Sequence, residues 1–331
     1  MKNTLILLLC LAFMTNLVAQ NFSSQNPAYI ENVKAGEAAL KAEDYQTCLA
    51  YYAKAFDIKQ TSYLSIMRAA ACAYQAQDKK MLNTYLDKAF ELSWSGAKNV
   101  FQNYDEFKFL DDTAFEVMIG QRYTKAATAA GVNLELMAEL ETILQTDQEQ
   151  RGQMRAISDK YGWKSPKMDS LWRLQNYSDS VNTLRIEEII AEYGYPGKSL
   201  VGEAQASTAF LVIQHADLAI QEKYLPIITK AANDGEVRWR SVALLVDRVN
   251  MRKGEKQIYG SQINSDPETG KYFFAPIANP HKIDSVRATV GLGPIQSYAD
   301  HWNFTWNAEE HIQFHKEQAA KEQMKAGEKN E

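Results

Sequence analysis

The sequence predicts a mainly α-helical protein, a short tetratricopeptide-like helical repeat array followed by an α-helical domain with one small β-hairpin. Three observations carry this. Residues 36–58 and 70–92 align at a constant offset of 34, the stretches after Gly131 keep a helical period, and "KQIYGSQI" and "KYFFAPI" flank "NSDPETG", which has turn chemistry. With 46% apolar residues and only 16 Gly and 8 Pro in 331, the composition favours packed structure over disorder. The length suits two or three domains of roughly 100–200 residues each.

The first twenty residues, "MKNTLILLLCLAFMTNLVAQ", place one Lys ahead of an apolar stretch over Leu5–Phe13 and a short polar step. That is the layout of a signal peptide, with cleavage expected near residues 19–20 and an exported, periplasmic or secreted product. Cys10 lies inside the apolar stretch behind a bulky Leu9, which argues against lipid attachment. No later window is apolar for long enough to span a membrane, so no transmembrane segment is expected. The formal charge of −5 becomes about one unit more negative when Lys2 leaves, which excludes a nucleic-acid partner. Cys48 and Cys72 fall on expected core faces, where packing alone explains them, and export leaves a disulfide between them open.

In the repeat, Asp44 aligns with Asp78, Tyr51 with Tyr85, and "KAF" at 54–56 with "KAF" at 88–90. Small residues (Gly36 and Ala70, Ala55 and Ala89) fall where paired helices must approach closely, and Tyr52 and Leu86 fall where a bulky side chain fills between them. The pattern resembles the tetratricopeptide repeat, with Gly36, Cys48, Tyr52 and Ala55 at its small, small, aromatic and alanine positions, and Ala70, Leu82, Leu86 and Ala89 in the second copy. It lacks that family's usual aromatic near each start and the Pro at each end. Two units need a cap. Phe107, Leu110, Phe115, Met118 and Ile119 suggest a degenerate third unit at 99–121, so the array is assigned to 28–121.

Two long helices are expected at 134–161 and 167–193, then a turn at 193–202, a buried helix at 203–216, and another at 218–233 kinked or restarted by Pro226. A helix at 236–252, a hairpin at about 256–277 and a short helix at 283–291 complete a domain over 132–298. Residues 299–331 read as a long polar C-terminal helix and tail.

Polar groups interrupt the apolar faces of this domain. Gln214, Asp217 and Gln221 share one helical face with His215 one step round, and Arg240, Leu244, Asp247 and Arg248 share another. Antiparallel packing of these helices would permit an Asp217–Arg248 or His215–Asp247 contact. Asp147, Gln150 and Arg151 lie on one face of the first long helix, and Gln257, Tyr259 and Gln262, turning at Gly254 and Gly260, would close over the same place. Two readings stand side by side. One is a ligand pocket, with His215 as a base oriented by Asp217 or Asp247 and with Arg248 or Arg151 clamping an anionic or carbonyl group; the other is a buried network that only fixes packing.

The combination of a Gly-x-Pro turn at 194–196, Gln214-His215, Asp247-Arg248 and Gly254 to Gln262 resembles a bacterial family known only as a domain of unknown function, number six-six-two-four, over about residues 132–298. The resemblance implies that His215, Asp247, Arg248, Gln257, Tyr259, Gly260 and Gln262 occupy that family's motif positions. It implies no activity. His311 and His315 are one turn apart beside Glu310 and read better as a solvated helix face than as a metal site. Trp239, Trp302 and Trp306 are candidates for stacking on sugar rings. With no phosphate loop, no Gly-x-Ser-x-Gly elbow and no paired Cys motif, neither a cofactor nor a metal is expected. The functional expectation is an exported binding protein, its array taking a protein or peptide partner and its polar cleft a ligand. The competing expectation is a hydrolase acting on envelope material with His215 and Asp247 as acid–base groups.

Overall fold

The computed structural model describes residues 26–110, 113–266 and 270–327, so the signal peptide, its cleavage point and Cys10 lie outside the described residues. The fold is mainly α-helical with one small two-stranded antiparallel sheet, and it divides into two compact units. One unit holds the described residues through Ala138 together with Ser199–Ala204, and the other holds Glu139–Lys198 and the described residues from Gln205.

The first unit begins with α1 (Pro27–Lys41), α2 (Tyr45–Ile58), α3 (Tyr63–Gln75) and α4 (Lys79–Asn103). Two helical hairpins result, and their turns repeat atom for atom at 34 residues. Asp44 and Asp78 cap α2 and α4, each carboxylate accepting from the N–H three residues on, at 3.2 Å from Thr47 and 2.9 Å from Met81. The preceding Glu43 and Gln77 both take the left-handed conformation, at φ 58° and 59°. The Asp44 and Asp78 N–H groups then donate back to the carbonyls of Ala39 and Ala73.

Within the first hairpin a Cβ on Gly36 would sit 2.9 Å from the Tyr52 ring, so only glycine lets α1 lie this close to α2. Cys48 and Cys72 form a disulfide joining α2 to α3, with Cα atoms 6.4 Å apart. Beyond α4, whose backbone breaks at Ser93, a 3-10 helix (Asp105–Leu110) and α5 (Thr113–Ala129) close the stack. The region expected as a third unit at 99–121 is therefore the end of one helix, a 3-10 turn and the start of another. Phe107, Phe115 and Ile119 are buried there, Phe115 meeting Tyr74 edge to face at 5.0 Å. Arg68 of α3 pairs with Glu37 of α1 and with Glu106 of the 3-10 turn, tying that closing segment to the hairpins.

The helix α6 (Leu134–Tyr161) begins in the first unit and from Glu139 belongs to the second, where it runs antiparallel to α7 (Pro166–Tyr193), as the cross-links 139/185, 146/182 and 151/179 show. The segment expected as one helix at 203–216 is two, α8 (Lys198–Gln205), most of which belongs to the first unit, and α9 (Thr208–His215), parted by a turn at Ala206 and Ser207. Pro226 lies inside α10 (Leu218–Asn233), which passes through it without restarting. Next come α11 (Trp239–Arg252), β1 (Ile263–Ser265) and β2 (Tyr272–Phe274), with Ile263 opposite Phe274 and Ser265 opposite Tyr272.

After α12 (Ile283–Ala288) the expected single tail helix is also two, α13 (Ile295–Asp300) and α14 (Ala308–Gly327), separated where Asn303 takes φ 58°. The helix α14 is not a solvated stripe at its histidines. His311 Nε2 accepts from the Ile277 N–H at 3.2 Å, and His315 Nε2 bonds to the Phe274 carbonyl at 2.9 Å, so both rings dock α14 on the hairpin. Trp302 and Trp306 pack against Tyr272 and Phe274 in the same aromatic cluster.

Two outcomes follow from this packing. Replacing Cys48 and Cys72 by Ser, which releases a loop of 24 residues' separation, lowers the unfolding free energy by about 3 kcal/mol in chemical denaturation. Burial, with the charges of His315 and Lys256, brings the His311 pKa down to about 4 from its ordinary value of 6.5. Above pH 6.5 both folded and unfolded forms are neutral and docking is at full strength. As pH falls from 6.5 toward 4 the unfolded form takes the proton first, so docking weakens. The hydrogen-exchange protection of the Ile277 amide, which His311 accepts, falls across that window if this bond holds α14.

Candidate functional site

Helix periodicity puts Asp147 and Arg151 one turn apart on α6 and puts Gln175, Asp179 and Asn182 on one face of α7. These two polar faces meet. Arg151 donates through Nη2 to Asp179 Oδ2 at 2.8 Å and through Nη1 to the Asp147 carbonyl at 2.6 Å, with Asp147 Oδ1 3.3 Å away. Gln175 spans the same pair, its Nε2 bonding the Asp147 carbonyl at 3.2 Å and Asp179 Oδ1 at 2.8 Å. Asp147 is fully buried and Arg151 nearly so.

The last residue of α9 joins them. His215 Nδ1 lies 3.0 Å from Asp147 Oδ1, with 9% of its side chain exposed. The end of α9 is held from behind by three donors. Gln221 Nε2 reaches the carbonyls of Gln214 and Ala216 at 2.7 and 3.2 Å, Arg248 Nη1 reaches the Gln214 carbonyl at 3.4 Å, and Arg252 Nη1 the Ala216 carbonyl at 2.6 Å. Cations at a helix C-terminus satisfy both its open carbonyls and its dipole.

Burial lowers the His215 pKa below its ordinary value against the pull of Asp147, and the charges of Arg151 and Arg248 lower it further. Burial alone would raise the Asp147 carboxyl, but the His215 bond, the His215 and Arg151 charges and the Gln148 amide outweigh it, so its pKa lies below the aspartate norm. At neutral pH the pair is therefore an ionised Asp147 accepting from Nδ1–H of a neutral imidazole. Among the described residues no group hydrogen-bonds His215 Nε2, whose lone pair is left for a ligand or a proton.

Asp147, Asp179 and His215 also bring three possible metal-ligand atoms within 4.8 Å of one another. The guanidinium of Arg151 is already ion-paired with both carboxylates and supplies the positive charge that a cation would bring there.

Asp247 does other work. Its carboxylate accepts from the N–H groups of Ile258, Tyr259 and Ser261 at 2.6, 2.9 and 3.0 Å and from the Ser261 hydroxyl at 2.9 Å, folding the loop that enters the hairpin. Burial pushes its pKa above the aspartate norm although these four donors pull it down. Gln257 completes the lock, donating to the Gln262 and Ala275 carbonyls and accepting from the Gln262 N–H. Gln262 in turn reaches Ser261 Oγ and the Leu244 carbonyl. On the far side Arg287 donates to the carbonyls of Tyr259 and Gly260.

The sequence candidates thus separate into two assemblies. Asp147, Arg151, His215, Arg248 and the Gln214 carbonyl come together; Asp247, Gln257, Tyr259 and Gln262 form the hairpin lock. The expected His215–Asp247 contact is not made, because His215 pairs with Asp147 and Asp247 is consumed by backbone donors. Asp217 caps α10, accepting from the Ile220 N–H at 3.0 Å, rather than pairing with Arg248. Gln150 is half-buried and joins neither assembly. Sequence reasoning passed over Gln175, Asp179, Ser261 and Arg287; the i, i+4, i+7 spacing of Gln175, Asp179 and Asn182 was the available signal for the first two.

The two assemblies respond differently to substitution. In Asp247→Asn an amide replaces one oxygen facing backbone donors, and stability falls by about 3 kcal/mol. In His215→Asn a donor for Asp147 is retained, and the loss stays under about 1.5 kcal/mol. Urea denaturation of both variants beside the parent checks the order, and a reversed order would refute this division of roles.

A family of unknown function (DUF6624) matches residues 134–306, from the first residue of α6 to Trp306, and the span contains both assemblies. Comparison with curated proteins and with solved structures gave no match. The matched region is more than half of the protein, and the chain belongs to this family of unknown function.

Proposed function

We propose that the protein is an exported binding protein whose 134–306 domain takes a small ligand at the Asp147–His215 pair. The observation that carries this reading is the pair itself: a buried carboxylate fixes one ring nitrogen while the other has no partner among the described residues. A packing network satisfies its members throughout; this one leaves His215 Nε2 available beside two guanidinium groups. Arg151 and Arg248 give the site a positive surrounding suited to an anionic or carbonyl group on the ligand. In the same reading the two helical hairpins form a tetratricopeptide-like array that takes a protein or peptide partner on its surface. The Cys48–Cys72 disulfide supports export, since such bonds persist in oxidising compartments. No described helix is long and apolar enough to cross a membrane.

A second reading, a hydrolase acting on envelope material, is favoured by one feature. An Asp that orients the imidazole tautomer is the arrangement of a general base. Asp147 then takes the orienting role that the sequence suggested for Asp247.

The mature protein incubated with a small-molecule envelope extract, desalted and denatured, releases a bound compound detectable by mass spectrometry, and His215→Asn releases much less. A parent protein that carries nothing out of the extract defeats the binding reading. Under the hydrolase reading the rate rises with pH through a group below 6.5 and levels off by neutrality, because burial lowers the His215 pKa, and His215→Asn loses at least about 100-fold. A flat profile removes it.

A further inference from the structure

The helix α7 carries apolar side chains on both of its faces. On the inward one Gln175, Asp179 and Asn182, which hold Asp147, Arg151 and Thr146, lie among the buried Met168, Leu171, Ile186, Ile189 and Ile190, while the outward face carries Leu174, Tyr177, Val181 and Leu184. These four are 56%, 72%, 48% and 61% exposed, and no other helix of the described residues presents so many large apolar side chains to solvent on one face. A stripe of contiguous apolar side chains on a soluble protein marks a contact surface.

We propose that this face of α7 is an interface with a second copy of the chain, packed antiparallel about a two-fold axis level with Asp179. The spacing 174, 177, 181, 184 runs three, four, three, the alternation by which helices interlock side chains along a seam. It also reads the same in both directions. A two-fold interface must be its own complement, and this stripe is: Leu174 comes opposite Leu184 of the second copy, and Tyr177 opposite Val181. The small residues Ser178 and Ser180 flank the axis and let the backbones approach. Charge agrees with the antiparallel sense. Lys167 and Arg173 lie at the N-terminal end of the stripe and Glu188 and Glu192 at its C-terminal end, so reversal sets basic against acidic. Arg185 does not oppose this, being held by Glu139 and Glu188 of its own copy. The consequence of this pairing for the domain is that the second copy would brace the helix whose other face fixes Asp147 and Arg151.

Sedimentation velocity of the mature protein over a micromolar concentration series tests this. The parent shifts from monomer to dimer, and Leu174→Lys with Leu184→Lys, a surface change that leaves the circular dichroism and melting temperature near those of the parent, weakens the dimer at least about tenfold. Under oxidation, Leu174→Cys with Leu184→Cys in one chain gives a covalent dimer, whereas either single variant gives none. A parent that stays monomeric throughout overturns the proposal. A dimer that survives the double Lys variant overturns it too, and a cross-link formed by a single Cys variant overturns the antiparallel arrangement.

Discussion

Asp147 carries a charge where no water reaches it, and the second unit is organised around meeting that requirement. An isolated buried carboxylate costs several kcal/mol, so partners must arrive with defined geometry. Arg151 supplies the opposite charge from the next turn of α6, and His215 brings the end of α9. Gln175 and Asp179 answer the Arg151 guanidinium and the Asp147 carbonyl from α7. The consecutive helices α6 and α7 and the later α9 are thereby fixed relative to one another by polar bonds, and apolar side chains fill in around them. Met154, Met168 and Leu171 form one such cluster at the turn end.

The same residue type serves opposite ends in Asp147 and Asp247. Both are fully buried. Asp147 lies among charges and a ring, and its pKa falls; Asp247 lies among backbone amides, and burial prevails. One carboxylate leaves a neighbour's nitrogen available, and the other leaves nothing available. A carboxylate that takes three backbone N–H groups within four residues is an architectural device, doing for a loop what a cap does for a helix.

Much of the architecture is legible in the sequence because it is local. The 34-residue offset appears in the structure as the paired caps Asp44 and Asp78, and the α6 and α7 limits follow from their own periodicity and from Gly131, Gly162 and Gly194. The hairpin follows from "NSDPETG". What is not legible depends on tertiary partners. Periodicity gives α7 two apolar stripes, Met168, Leu171, Ile186 and Ile190 on one and Leu174, Tyr177, Val181 and Leu184 on the other, and does not say which turns inward and takes Gln175 and Asp179 with it. Asp247 and His215 sit at the right places to pair, and only the path of the loop at 258–261 shows that Asp247 is already taken. His311 and His315 look like solvated polar residues until the hairpin edge supplies Ile277 and Phe274 as their partners. The break at Ala206 and Ser207 carries neither glycine nor proline, so composition alone continues the helix through it.

The position of Arg151 has an evolutionary side. Two carboxylates and an imidazole within 4.8 Å are oxygen and nitrogen donors of the kind that divalent ions use, and here a guanidinium stands among them as a covalently tethered cation. A side chain cannot be chelated away, depleted by scarcity or exchanged for the wrong ion, so the centre keeps its charge balance in any medium. The corresponding loss is of versatility: a lineage that exchanged Arg151 for a small neutral residue would leave the same three donors facing one another, and the route from a fixed electrostatic centre to an ion-dependent one would be a single substitution long.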